Sequence, residues 1–315
     1  MQIYHQITDF KLEKAVLTIG SFDGVHLGHL KVIETLKQIA KLRGGETVIY
    51  TFFPHPQQVL YPQESRKSLR MLTSLDERIA LFEKAGVDHL IIFPFSKEFA
   101  QMSHYDFVKL ILVEQLHVDS LILGYDHRFG KDAAGNFDTV FELSQEFNFN
   151  LVKLDALCVD NNNISSTEIR NALAHGNVVL AQRYLGYHYA LSGEVVKGKQ
   201  LGRTIQFPTA NIKLHDDLKL IPKDGVYVVQ VQLGDCEFGG MMNIGSRPTV
   251  NSDVYDKTIE VHLFDFDGEI YGQSIRVAFV DRLRDEMRFA SVNDLQQQLI
   301  SDKLQALTRL QDFDF

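Results

Sequence analysis

The sequence predicts a two-domain α/β protein, in which a mostly parallel sheet with helices on both faces precedes an antiparallel β structure. Three observations support this prediction. A length of 315 residues exceeds what a single hydrophobic core normally requires. Strand and helix patterns alternate up to about residue 186, as is typical of parallel sheets. Beyond Tyr189, short β-rich runs separated by Gly, Asn or Asp indicate a barrel or a sandwich.

The first half alternates in the order expected of βαβ units. Predicted strands are Ala15–Ile19, Thr47–Phe53, His89–Phe93, Ser120–Leu123 and Leu151–Leu154. Predicted helices are Gly28–Leu42, a helix capped by Thr73 or Ser74 that ends at Ala85, Tyr105–Leu116, Phe137–Phe147, Ser165–Ala174 and Asn177–Leu185. Glycines follow several of these helices, where a left-handed residue ends the helix.

The second half lacks long helical patterns until its end. Its predicted strands are Leu191–Val196, Thr209–Ile212, Gly225–Leu233, Gly239–Ile244, Lys257–Phe264 and Ser274–Phe279. A final helix, Val292–Leu310, carries leucines along one face and is expected to pack on these strands. We place the boundary near Gly186, which gives domains 1–186 and 187–315.

Composition excludes several functional classes. The content of 45% hydrophobic and 23% charged residues is ordinary for a globular protein, and a net charge of −9 argues against a general nucleic-acid binder. The first residues lack the pattern of a secretory signal, and no apolar run is long enough for a membrane span. The cysteines Cys158 and Cys236 lie far apart. We therefore expect reduced thiols and a cytoplasmic protein that binds neither nucleic acid nor membranes.

The stretch Leu17–Leu30, LTIGSFDGVHLGHL, combines a strand, a glycine-bearing turn and the start of a helix. Such a turn can place a phosphate against backbone N–H groups and the positive end of the helix dipole. The two imidazoles His26 and His29 add donors beside this anion site, so we predict that ATP binds here. Two histidines in a turn also occur as surface residues or helix caps. A zinc site lacks a third ligand at suitable spacing, and the glycine pattern does not match a dinucleotide-binding fingerprint.

Further motifs follow in a defined order. The first half contains GSFDGVHLGH (20–29), TFFPHP (51–56), GYDHRFG (124–130) and ISSTEIR (164–170). The second half contains FPTANI (207–212), PKDGVY (222–227), MNIGSRPT (242–249), EVHLFDF (260–266) and LRDEMRF (283–289). Together these motifs resemble the bacterial family of bifunctional riboflavin kinase and FMN adenylyltransferase, also called FAD synthetase. The resemblance implies a Rossmann-like nucleotidyltransferase domain and a β-barrel riboflavin kinase domain with a terminal helix.

For the first domain, the resemblance implies adenylyl transfer from ATP to FMN with release of pyrophosphate. His26 and His29 would contact the ATP phosphates as catalytic groups. The implied ATP-binding residues are Gly20, Phe22, Gly24, His26, Gly28, His29, Ser166, Thr167 and Arg170. The implied flavin-binding residues are Phe52, Pro54, His55, Asp126 and Arg128. Plain helix capping is the alternative for Ser166 and Thr167, and a structural turn is the alternative for residues 52–55.

The chain departs from the family pattern at a few positions. Ser21 stands where the family commonly has Asn, and His127 stands where Phe or Tyr is frequent. These departures affect the expected geometry on the flavin side more than the reaction. Tyr187-His188 replaces Arg-Pro in the linker.

For the second domain, the resemblance implies ATP-dependent phosphorylation of riboflavin to FMN. Residues 193–200 nearly match a P-loop but lack its terminal Ser or Thr, and we interpret them as a glycine-rich loop over ATP. The implied ATP-binding residues are Gly198, Gly202, Arg203, Pro208, Thr209 and Asn211, of which Thr209 and Asn211 would hold Mg²⁺. Their side chains share one face of a strand, which without the resemblance would be a polar solvent face.

Glu260 matches the catalytic base of the family, which removes the proton from the riboflavin 5′-hydroxyl. Arg284 and Glu286 are expected to border the flavin, whereas Asn243 and Arg247 are expected to stabilise a turn. The substrates and products would be riboflavin, FMN, FAD, ATP and ADP. Two other hypotheses are a chain with only one active domain and a flavin-sensing regulatory protein. Intact motifs in both halves argue against them.

Overall fold

A computed structural model describes residues 1–61, 69–124, 127–159, 162–198, 202, 205–247 and 256–311. The chain forms two compact units, Met1–Ser166 and Thr167–Phe315. Within the described residues, no helix combines the length and the apolar character that crossing a membrane requires.

The first unit is built on a six-stranded parallel sheet. Its strands are β1 (Gln2–Tyr4), β2 (Ala15–Ile19), β3 (Glu46–Phe53), β4 (His89–Pro94), β5 (Val118–Gly124) and β6 (Asn150–Leu154). The spatial order is β1-β4-β3-β2-β5-β6, with every neighbouring pair parallel. The order reverses at β2, which lies between β3 and β5. Parallel sheets bind ligands beyond the carboxyl ends of their strands at such a reversal, so the fold predicts a site after β2 and β5.

Helices cover both faces of this sheet, as predicted. They are α1 (Leu27–Arg43), α2 (Pro56–Leu60), α3 (Leu75–Lys84), a π helix at Phe107–Gln115 preceded by an α turn at His104–Asp106, and α4 (Phe137–Phe147). One apolar cluster joins Ile33 and Phe82 to the sheet, and another joins Phe107 and Leu112 to its opposite face. The sequence pattern missed the short elements β1, α2 and the hairpin of β7 (Cys158–Val159) and β8 (Asn162–Asn163). Two to five residues are too few to show a period.

The helices α5 (Ser166–Ala174) and α6 (Val178–Leu185) precede the strands of the second unit. Ser166 is the last residue of the first unit, so the rest of α5 and all of α6 belong to the second. Asn177 caps α6, and Gly186 ends it in a left-handed conformation.

The second unit is a closed antiparallel barrel. Its strands are β9 (Ala190–Val196), β10 (Ala210–Leu214), β11 (Gly225–Leu233), β12 (Cys236–Arg247), β13 (Asp256–Leu263) and β14 (Ser274–Arg284). The order β10-β13-β12-β11-β14-β9 closes through pairing of β9 with β10. The sequence pattern left a barrel and a sandwich open, and this pairing decides for the barrel. The terminal helix α7 (Val292–Gln311) buries Ala306 and Leu310 in a cluster with Phe207 and Phe264.

Candidate active sites

The turn between β2 and α1 has an unusual backbone. Phe22, Gly24 and Val25 have positive φ values of 50°, 86° and 35°, a region that residues with a side chain rarely occupy. His26 then caps α1, and its Nδ1 accepts a hydrogen bond from the backbone N–H of His29 at 3.4 Å. Helix capping, the alternative interpretation of this histidine, is therefore present. The positive end of the α1 helix dipole therefore lies beside the two imidazoles.

The imidazole of His29 lies on that of His26. The ring centroids are 3.6 Å apart and the planes differ by 18°. Burial and the neighbouring His26 ring hold the pKa of His29 well below its usual value. The Nδ1 atom of His29 is buried, and among the described residues it has no hydrogen-bond partner. His29 therefore carries an unsatisfied polar atom and is neutral at pH 7 without a ligand.

A cleft of about 380 Å³ lies at the carboxyl ends of the central strands. It is lined by residues from β2, β3 and β5 and from the turns that follow them, among them Gly20, Phe22, His29, Phe52, His55, His127 and Arg128. His55 also caps α2, because its Nδ1 accepts from the backbone N–H of Gln57 at 3.3 Å. The cleft thus brings together residues from three of the four motifs of the first half.

A second, larger cavity of about 640 Å³ shares Phe52, Pro56, Arg128 and Phe129 with this cleft. Aromatic side chains and Met102 form much of its wall, including Phe95, Phe99 and Phe107. Ring contacts tie the wall together, since the ring of Phe99 lies 5.7 Å from that of Phe95 and 5.9 Å from that of Phe107. This cavity suits a flat aromatic ligand beside the anion site.

The buried carboxylate of Asp23 fastens the turn to the segment before α3. It accepts hydrogen bonds from the backbone N–H groups of Leu72 and Thr73, each at 3.0 Å, and from the Thr73 hydroxyl at 3.2 Å. In return, the backbone N–H of Gly24 donates to the Thr73 hydroxyl at 3.0 Å. This clamp, formed by Asp23, Leu72 and Thr73, holds the strained turn in place.

Ser166 joins the turn from the other side. Its hydroxyl donates to the backbone carbonyl of Asp23 at 2.8 Å. The single hydroxyl proton is used in this bond, so in this arrangement the Ser166 hydroxyl does not also donate to a phosphate. Thr167 and Arg170 follow in α5 as residues of the second unit.

The barrel carries a row of polar side chains across three strands. Glu260 on β13 pairs with Asn211 on β10 and with Asn243 on β12. Directly opposite residues of antiparallel strands point to the same face, so the two amides flank the carboxylate. The hydroxyl of Thr209, just before β10, donates to Glu260 Oε2 at 3.1 Å. Asn243 lies within a strand, so its expected role in a turn was wrong.

Glu260 lines a cavity of about 380 Å³ between the barrel and α7. Apolar residues such as Met241, Leu295 and Leu299 form most of its wall, with Thr209, Asn243, Arg284 and Glu286 as polar groups. His262 also lines it, and its Nδ1–H donates to the carbonyl of Pro208 at 2.8 Å. Burial lowers the pKa of His262, which keeps this ring neutral.

Another cavity, of about 540 Å³, lies on the other side of Thr209. Its wall contains Pro208, Thr209, Ala210 and the segment Asp267–Tyr271. Thr209 lines both cavities of the barrel. The cavity that contains the Glu260 carboxylate and the second cavity therefore share Thr209 in their walls.

The glycine-rich loop after β9 approaches this junction closely. A Cβ atom on Gly198 would lie 2.1 Å from Asn211 Nδ2, and a Cβ atom on Gly202 would lie 2.1 Å from the carbonyl oxygen of Phe207. A side chain at residue 198 would require the amide of the predicted site residue Asn211 to move, and a side chain at residue 202 would collide with the backbone of Phe207. Arg203 lies outside the described residues.

Comparison with known proteins agrees with a division of the chain into two functional domains. Family models match residues 9–168, as FAD synthetase, and residues 185–310, as riboflavin kinase. The bifunctional riboflavin kinase/FMN adenylyltransferase of Haemophilus influenzae is 40% identical over 292 residues and covers 92% of each chain. The chain belongs to this family. The Escherichia coli K12 and Bacillus subtilis members are 37% and 36% identical, over 96% of this chain and 95% of theirs.

A solved structure shares the whole architecture. The crystal structure of a protein named macrolide-efflux protein, from Streptococcus pneumoniae, superposes with a TM-score of 0.86, at 30% identity and 96% coverage of both chains. The two-domain fold predicted from the sequence is therefore present in full: an FAD synthetase domain and a riboflavin kinase domain.

Most of the predicted site residues of this family member lie in or beside the cavities. In the FAD synthetase domain, Gly24, His26 and Gly28 form the turn behind the cleft, with the Gly28 Cα facing the His26 ring. Pro54 follows a cis peptide bond and lines neither cavity. Asp126 lies outside the described residues, as does Arg203 of the kinase domain.

Three residues contribute to the sites although the sequence pattern did not assign them there. Asp23 and Thr73 are distant in the sequence, and only the tertiary structure joins them. Asn243 was predictable in part, since alternation along Gly239–Ile244 puts it on one face of a strand. Its position beside Glu260 follows from the register of β12 with β13, which periodicity alone does not provide.

Proposed function

We propose that the two cavity systems carry the two activities of the family, riboflavin phosphorylation at Glu260 and FMN adenylylation at the His26–His29 turn. The observation that carries this proposal is Thr209, which donates to Glu260 and lines both barrel cavities. A base on one side and nucleotide space on the other is the arrangement that phosphoryl transfer to a hydroxyl requires.

In the kinase domain, riboflavin occupies the mostly apolar cavity beside α7, and ATP occupies the cavity lined by Asp267–Tyr271. Glu260 removes the proton of the 5′-hydroxyl as its oxygen attacks the γ-phosphorus, and ADP leaves. A hydroxyl benefits from such a base, which contributes about 10²–10⁴-fold to a rate. Asn211 and Asn243 lie opposite Glu260 on the neighbouring strands, and the Thr209 hydroxyl donates to its carboxylate.

The oxygen donors beside Glu260 fit Mg²⁺. Thr209 and Asn211 supply a hydroxyl and an amide oxygen, the hard ligands that this ion accepts together with substrate phosphates. Bound there, Mg²⁺ would neutralise charge on the ATP phosphates. Among the described residues, no cluster of His, Cys, Asp or Glu could hold a metal ion by itself.

In the FAD synthetase domain, the phosphate of FMN attacks the α-phosphorus of ATP, and pyrophosphate leaves. The attacking phosphate is already anionic, so no base is required. His29 is neutral before ATP binds and carries a buried Nδ1 without a partner in the described residues, which a phosphate would satisfy. The isoalloxazine ring of FMN fits the aromatic cavity next to the cleft, with Phe52 and Arg128 shared by both.

We assign the adenylyltransferase domain to residues 1–186 and the kinase domain to residues 187–315. The compact unit that contains the barrel also contains α6 and all of α5 except Ser166. The two family models, by contrast, leave residues 169–184 unmatched. Residues 164–170 carry the predicted phosphate-binding motif of the first reaction, which is why α5 stays with the first domain in this assignment. A cytoplasmic location remains a prediction.

One assay tests both reactions. The protein is incubated with riboflavin, ATP and Mg²⁺, and FMN and FAD are resolved by chromatography; a second incubation starts from FMN. We expect FMN and FAD in the first mixture and FAD in the second. A protein that binds riboflavin or FMN without converting either would instead support the flavin-sensing hypothesis, and loss of one product would support a single active domain.

A further inference from the structure

The terminal helix α7 forms part of the wall of the kinase cavity. Leu295 and Leu299 line the cavity, and Asp302, almost one turn after Leu299, is buried with 1% of its surface exposed. Buried carboxylates are rare unless they are paired, because removing the charge from water is costly. The partner of this carboxylate is Arg284, which lines the cavity.

Asp302 binds the guanidinium of Arg284 in a bidentate manner. The Nε atom of Arg284 donates to the two carboxylate oxygens at 3.1 and 3.0 Å, and Nη2 of the same guanidinium donates to Oδ2 at 2.7 Å. Gln298, one turn earlier in α7, donates to Asp302 Oδ1 at 2.8 Å and fixes the carboxylate. The Nη1 atom of Arg284 donates to the backbone carbonyl of Asp285 at 3.0 Å. Bidentate pairing of this kind fixes the guanidinium plane as well as its charge.

Arg284 itself lines the cavity at the end of β14. A guanidinium has five N–H donors, so after these bonds two donors remain without a partner among the described residues. Two carboxylates, Glu260 and Glu286, line the same cavity. Without Asp302, the Arg284 cation would have two acidic partners inside the cavity, one of which is the proposed base.

We propose that Asp302 is a positioning residue for riboflavin phosphorylation, which holds Arg284 on the cavity wall and away from Glu260. The helix α7 thereby sets the geometry of the flavin cavity and does more than cover the barrel. Asp302 does not itself line the cavity and acts through Arg284. This inference rests on the proposed function of the Glu260 site.

The test is the Asp302→Asn variant of the full chain, assayed with riboflavin, ATP and Mg²⁺. We expect the KM for riboflavin to rise about tenfold, because Arg284 is misplaced, and kcat to fall about tenfold, because the released guanidinium pairs with the proposed base Glu260. FAD formation from FMN reports on the other domain and stays unchanged. The matched control is Asp281→Asn, which breaks the 2.5 Å ion pair with Arg309 that also joins β14 to α7 but lies outside the cavity lining. An equal rise in KM in this control would overturn the proposal.

A double-mutant cycle separates positioning from general stability. If Asp302 acts through Arg284, Asp302→Asn adds nothing to the KM of the Arg284→Gln variant, whereas independent effects multiply. Multiplied effects would overturn the proposal. If Asp302→Asn does not fold, Asp302→Glu keeps the charge and moves it by one methylene, and an unchanged KM in that variant would also overturn it. A wild-type protein that forms no FMN would instead contradict the proposed function and leave the Arg284–Asp302 coupling to be judged from riboflavin binding alone.

Discussion

The imidazole rings of His26 and His29 lie face to face, with their centroids 3.6 Å apart. Two cations cannot share this arrangement at low cost, and the pKa of His29 is accordingly held well below its usual value. The sequence alone suggested cationic donors for the ATP phosphates. Its lowered pKa keeps His29 neutral in the free protein, so in the proposed site it would contact phosphate as a dipolar donor or gain its proton only together with bound phosphate.

Replacing His29 tests this site. We expect His29→Ala to lower the rate of FAD formation from FMN by about 10²–10³-fold, the usual effect of removing one donor to a developing charge. Thermal unfolding of the variant, compared with that of the wild type, provides the folding control, because the kinase domain is expected to be active on its own. His5→Ala, at an exposed histidine of the same domain, should leave both rates unchanged. A normal adenylylation rate in His29→Ala would remove this residue from the site.

The lowered pKa of His29 also predicts a pH dependence of stability. Unfolding returns the imidazole to its ordinary pKa of about 6.5, so the unfolded state binds more protons between that value and the lower folded value. The free energy of unfolding should therefore fall as the pH is lowered through this window.

Thermal unfolding of the wild type and of His29→Gln measures this effect. The wild type should lose more stability than the variant between about pH 7 and pH 5.5, since glutamine does not titrate. Parallel curves for the two proteins would show that His29 has no depressed pKa in the folded state.

Replacing Glu260 tests whether the two activities have separate sites. Glu260→Gln retains the shape of the side chain and removes the proposed base, so FMN formation from riboflavin should fall by about 10²–10⁴-fold. FAD formation from supplied FMN should continue. If a folded Glu260→Gln variant loses both activities, the two sites are not independent.

The close approach of Gly198 to Asn211 predicts a sharp steric effect. Gly198→Ala places a methyl group 2.1 Å from Asn211 Nδ2, so the amide must move away from Glu260 and the nucleotide. We expect the KM for ATP in riboflavin phosphorylation to rise about tenfold or more. The control is Gly234→Ala, whose Cβ would meet nothing within 4 Å, although its φ of +58° makes that change mildly destabilising. An unchanged KM in Gly198→Ala would mean that Asn211 does not hold the nucleotide.

The domain boundary can be tested with two fragments, one starting at residue 187 and one at residue 167. Both contain the barrel and α7, and we expect both to phosphorylate riboflavin. The longer fragment should be the more stable, because α6 packs on β14 and Gln182 contacts His188, which in turn contacts the Phe279 carbonyl at 2.8 Å. An inactive or insoluble fragment 187–315 would move the boundary toward residue 167.

The sequence by itself determined the order of the longer elements, the parallel α/β class of the first domain, the antiparallel β class of the second and the motifs, because hydrophobic periodicity and glycine positions are local properties. Strands β2 and β4, helices α4, α6 and α7, and the turn of His26 and His29 were all predictable in this way. The family resemblance added the chemistry of Glu260, Thr209 and Asn211, which local pattern alone would have left on a polar strand face.

Only the tertiary structure decided which distant residues meet. Barrel closure through β9 and β10, the register that sets Asn243 beside Glu260, the clamp of Asp23 on Thr73 and the pairing of Arg284 with Asp302 all join residues far apart in the chain. Contacts of this kind depend on packing and register, which periodicity does not encode. The low pKa of His29 has the same origin, since it arises from burial and from the ring stacked on it.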